Sequence, residues 1–95
     1  MTEMQKLDKY LTEHSIKHTF KHGGYQIIVK DDNGGYLWDA ICGHGSLGFE
    51  TGLIEIMGRI VPECVSDFVE GHLTANEVIE RIEKYYASNG LVLNN

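Results

Sequence analysis

Two turns, Gly23-Gly24 and Asn33-Gly34, separate three runs of strand-type residues, and they constrain this chain more tightly than any other feature. A two-residue hairpin loop fixes which residues face one another on either side of it. Pairing across Gly23-Gly24 sets Phe20 beside Ile27 and His18 beside Val29. Pairing across Asn33-Gly34 sets Val29 beside Trp38 and Ile27 beside Ala40. The two registers agree, because side chains alternate with period two and both turns send the same residues to the same side. One face then collects Ile16, Phe20, Tyr25, Ile27, Val29, Trp38, Ala40 and Cys42, the core side of a three-stranded antiparallel meander. The opposite face carries Gln26, Ile28, Lys30, Leu37, Asp39 and Ile41.

Helical signals flank this meander. Thr2-Glu3-Met4-Gln5 fits a capping box, and Met4, Leu7 and Leu11 follow at helical spacing, so the first helix is expected to run to about His14. Phe49, Leu53, Ile56, Met57 and Ile60 keep a helical period up to Pro62, with Gly52 and Gly58 weakening it. The last helix opens at Thr74, with Glu77 closing a capping box and Leu73 and Val78 placed as a hydrophobic staple. Val78, Ile79, Ile82, Tyr85 and Tyr86 form its buried stripe, Asn89-Gly90 ends it, and Glu63 to His72 reads as an irregular connection. The expected fold is a single α+β domain over residues 1–95, in the order α-β-β-β-α-α, with the helices packed on one face.

Charge narrows the function. Eight Lys and Arg against fourteen Asp and Glu give a net charge of −6. That is the wrong sign for gripping phosphate backbones, so nucleic acid is disfavoured and a basic protein partner suits the balance. The N-terminus lacks a basic and then apolar leader, and no run approaches a membrane span, so a cytoplasmic location without membrane contact is expected. Cys42 and Cys64 are then expected to be free thiols.

Several constellations suggest chemistry. Gly43-His44-Gly45-Ser46-Leu47-Gly48 matches G-x-G-x-x-G with Glu63 some 20 residues on. It follows an antiparallel meander, however, and no strand completes a βαβ unit, so it reads as a redirecting turn whose amides suit at most a small anion. Cys42, His44, Cys64 and His72 are soft ligands, but C-x-H and C-x₇-H match no common zinc spacing. His18 and His22, about 13 Å apart along a strand, cannot share an ion. No catalytic residue, metal or cofactor is therefore assigned. A small metal-binding or thiol enzyme using Cys42 and His44 is the alternative. The leading expectation is a protein-interaction or modulator module. It would engage a partner, or a second copy as a homodimer, through Ile28, Leu37, Asp39 and Ile41.

Two resemblances bear on this reading. The order α-β-β-β-α resembles the double-stranded-RNA-binding domain, yet the helix start after its glycine-containing loop reads Ser46-Leu47-Gly48-Phe49-Glu50, without lysines, and implies no RNA contact. Trp38-Asp39-Ala40-Ile41-Cys42, Gly45-Ser46-Leu47-Gly48-Phe49-Glu50, Gly52-Leu53-Ile54-Glu55-Ile56-Met57-Gly58 and Leu73-Thr74-Ala75-Asn76-Glu77-Val78-Ile79 resemble small proteins of prophages and mobile elements of Gram-positive bacteria, a group without an assigned activity. Over roughly residues 25 to 83, this resemblance implies a phage or mobile-element accessory protein of the bacterial cytoplasm, with no catalytic residues to carry over.

Overall fold

A computed structural model of the chain describes residues 1–63 and 68–94. Helix α1 (Glu3–Glu13) leads into five strands and then helix α2 (Ala75–Ser88). The strands are β1 (Thr19–Lys21), β2 (Gln26–Lys30), β3 (Tyr36–Ile41), β4 (Ile54–Gly58) and β5 (Val69–Leu73). They form one antiparallel sheet in sequential order, β1-β2-β3-β4-β5.

Three of the four expected pairings form: Phe20 faces Ile27, Ile27 faces Ala40, and Val29 faces Trp38; the expected His18–Val29 pair does not, because β1 begins only at Thr19. Both turns are wider than two residues. At the first, His22 and Gly23 take left-handed φ, and Tyr25 leaves the extended conformation (φ −83°, ψ −25°). Tyr25 therefore lies 56% exposed and is removed from the core set. At the second, the Asp31 carboxylate accepts from the Asn33 and Gly35 amides, and Gly34 supplies φ +82°. This three-residue closure pairs Lys30 with Tyr36 and leaves one extra residue in β3 before Val29–Trp38 pairing resumes. Leu37 is the residue displaced: it is half-buried against the core cluster instead of lying on the opposite face.

The second of the three expected helices, over Phe49 to Ile60, is a strand. Phe49–Thr51 makes one tight turn, closed by Gly52 at φ +72°, and β4 follows. Ile54 and Ile56 are fully buried, while Glu55 and Met57 point the other way. The helical spacing of Phe49, Leu53, Ile56 and Ile60 coincides with this period-two pattern, and β-branched isoleucines two apart favour the strand. The connection from Glu63 to His72 likewise contains β5. Its signal is weak because Gly71 and His72 (φ +58°) interrupt the alternation, and Glu70 turns to meet Arg81 of α2 in a bidentate ion pair. With five strands and two helices, the order is α-β-β-β-β-β-α, and the topological likeness to the RNA-binding domain does not hold.

Both helices cover one sheet face. Met4, Leu7 and Leu11 of α1 and Ala75, Val78 and Ile82 of α2 share a single core with Ile27, Val29, Trp38, Ala40, Ile54 and Ile56. The helices run in the same direction. Glu3 accepts from the Ala75 amide at the head of α2, and the Tyr10 hydroxyl donates to Glu83 further along. Lys6 and the Ala75 amide hold the Glu3 carboxyl below the usual carboxylate range. Thr2 and Thr74 form complete capping boxes with Gln5 and Glu77. Thr74→Ala is expected to lower stability by about 1 kcal/mol, a fall of about 4–8 °C in thermal midpoint for a domain this size. An unchanged midpoint in a calorimetric scan would mean that the cap carries no share of α2.

Candidate interaction face

The outer face of the sheet, opposite the helices, is built by the alternation that builds the core. Since Ile27, Val29, Trp38 and Ala40 point inward, Gln26, Ile28, Asp39 and Ile41 point outward. Cross-strand pairing extends the set. Gln26 faces Ile41, Ile28 faces Asp39, Asp39 faces Met57, and Ile41 faces Glu55. Ile28, Asp39 and Ile41 of the expected patch are thus brought together and Leu37 is not. Met57, Glu55 and the Tyr36 hydroxyl, none of them anticipated, complete it.

The middle of this face is apolar at its surface and acidic beneath. Met57 is 39% exposed, and Ile28 and Ile41 are partly exposed. Between them Asp39 and Glu55 are only 8% and 9% exposed. Asp39 accepts from the Tyr36 hydroxyl and, at 3.1 Å, from the side-chain Nε2 of Gln26. Burial, reinforced by donation to Asp39, pushes the Tyr36 phenol well above its ordinary range, so it stays a donor. Glu55 accepts from the Leu47 amide at 3.0 Å. Among the described residues neither carboxylate has an ion-pair partner; the three ion pairs present are Lys6–Glu3, His18–Asp8 and Arg81–Glu70. The cations of the face, Lys21 and Lys30, are exposed at its margins.

The glycine-rich loop between β3 and β4 is part of this arrangement. Its Gly43 amide bonds the Ser46 hydroxyl, and its Leu47 amide is taken by Glu55, so this carboxylate occupies the position proposed for a small anion. The Leu47 carbonyl accepts from the His72 amide on edge strand β5. A Cβ on Gly71 would come within 2.2 Å of that of Leu47, so glycine is needed for the loop to lie there. The loop thereby covers part of the β5 edge.

The soft-ligand set does not converge. Burial raises the Cys42 thiol above its ordinary range, opposite to what an activated nucleophile requires. His44 is exposed and stacks on Phe49 with centroids 4.8 Å apart, and His72 is exposed on β5. Cys64 lies outside the described residues, among which no group of three or more metal-ligating side chains forms. His18 is engaged elsewhere: its ring nitrogens bond Asp8 and the Ile16 carbonyl, fastening the start of the sheet to α1.

A cleft of about 750 Å³ lies beside the C-terminal half of α2. It gathers Arg59, Arg81 and Lys84 with Glu63 and Glu80 over Ile60 and Val61. Arg81 is already held by Glu70 and the remaining charges balance, so it selects no ligand class.

Compared with protein-family models, curated proteins and solved structures, the chain matches none of them. No helix among the described residues is long and apolar enough to cross a membrane.

Proposed function

We propose that this domain is a protein-interaction module that holds another protein on the outer face of its sheet. The observation that carries the reading is the division of labour across the sheet. One face is consumed by α1 and α2, while the other presents Ile28, Ile41 and Met57 on three adjacent strands with no helix over them among the described residues. Aliphatics fixed on a rigid sheet offer area without the entropic cost of ordering a loop, which is what a docking surface requires. The resemblance to prophage and mobile-element proteins fits an accessory role of this kind, in which a small module binds and modulates a larger protein of the bacterial cytoplasm.

The test separates binding from folding. Ile41→Lys is expected to keep the wild-type circular dichroism spectrum while losing the proteins retained by the immobilised wild-type domain. Retention unchanged by Ile41→Lys, with the fold intact, would place the contact elsewhere.

A further inference from the structure

Resting on the outer-face reading above, we infer that the occupant is a basic amphipathic segment of a different protein, whose cation is received over Asp39 and Glu55. Two carboxylates more than nine-tenths buried are costly when neutral donors alone offset them, and neither has a cation among the described residues. They lie diagonally across the β3–β4 pair, since Asp39 faces Met57 and Ile41 faces Glu55. Diagonal neighbours on one sheet face stand about 7–8 Å apart, within the span of a single guanidinium and its stem. Ile28, Ile41 and Met57 surround this seat with apolar area. The occupant must therefore combine a cation with aliphatic side chains.

Charge decides against a second copy. Each chain carries −6, so two copies repel one another at long range, and a homodimer through this face would enclose two pairs of buried carboxylates against each other with no cation between them. Among the described residues, β1 and β2 bring Lys21 and Lys30, which stand exposed at the rim.

The probe is a short blocked peptide in which arginine alternates with leucine, with a glutamate–leucine peptide as its control. Binding is followed by backbone and methyl NMR shifts of the whole chain. The basic peptide is expected to perturb Gln26, Ile28, Asp39, Ile41 and Met57, the acidic peptide none of them. Asp39→Asn and Glu55→Gln, both nearly isosteric, are each expected to weaken binding roughly tenfold or more, whereas Glu80→Gln on the exposed side of α2 leaves it unchanged. Should either acidic-site variant misfold, the wild-type shift map and the other variant still decide. Shifts scattered over the acidic surface and indifferent to both substitutions would overturn the inference and leave the outer-face reading standing. So would a sedimenting dimer that Ile41→Lys breaks and the peptide does not disturb. An outer face that responds to neither peptide nor second copy, with binding insensitive to Ile41→Lys, would overturn both.

Discussion

Trp38→Ala is expected to remove about 3–5 kcal/mol of stability, the cost of emptying a large aromatic site in a packed core. Trp38 is 1% exposed, pairs with Val29 on one side and Gly58 on the other, and belongs to the cluster shared by both helices. Small domains sit near the lower end of the usual range of about 5–15 kcal/mol, so the variant should be largely or wholly unfolded at room temperature. Urea titration followed by far-ultraviolet circular dichroism reads this directly. A folded variant with an unshifted midpoint would mean that the inner and outer faces have been exchanged.

Gly58→Ala is expected to have the second largest effect, about 2–4 kcal/mol, because strain and collision combine there. Gly58 ends β4 at φ +99°, a conformation that carries a penalty for any side chain. Its added Cβ would lie 2.5 Å from the Leu37 carbonyl oxygen and 2.8 Å from the Trp38 Cα, both backbone atoms that cannot swing away. The same strand ends carry the Arg59 amide to Leu37 carbonyl bond at 2.9 Å, so relieving the clash opens the β3–β4 ladder. Gly45→Ala supplies a comparison in the same titration: φ is +88° but nothing lies within 4 Å, so only the conformational penalty remains. Equal losses for the two variants would show that β3 and β4 are not packed this closely.

The meander was legible because the two turns and the alternation agreed, and alternation is a property of each strand by itself. Leu37 escaped this reasoning, since the Asp31-capped turn takes three residues where Asn33-Gly34 suggested two, and the bulge that follows moves one side chain across the sheet. Strand β4 was hidden by coincidence of period, although Ile54-Glu55-Ile56-Met57 between two left-handed glycines carried the strand signal. Strand β5 had almost no local signal. Its Glu70 is explained by Arg81, a partner on α2 that one sequence cannot nominate. The interaction face followed the same division. Ile28, Asp39 and Ile41 came from alternation within the meander, while Glu55 and Met57 required knowing that β4 pairs with β3.

The thermal midpoint of Ile28→Glu, scanned beside Trp38→Ala, tests most directly whether the sheet has one committed face and one free face. Ile28 and Trp38 stand on neighbouring strands but on opposite sides of the sheet. A carboxylate on a face that still meets water costs little, although Asp39 directly opposite adds some like-charge repulsion. The expected result is a cooperative transition with its midpoint lowered by only a few degrees, about 1 kcal/mol or less, while Trp38→Ala shows no native baseline. Collapse of Ile28→Glu to the same extent as Trp38→Ala would contradict this, and would show that the outer face is a second core surface.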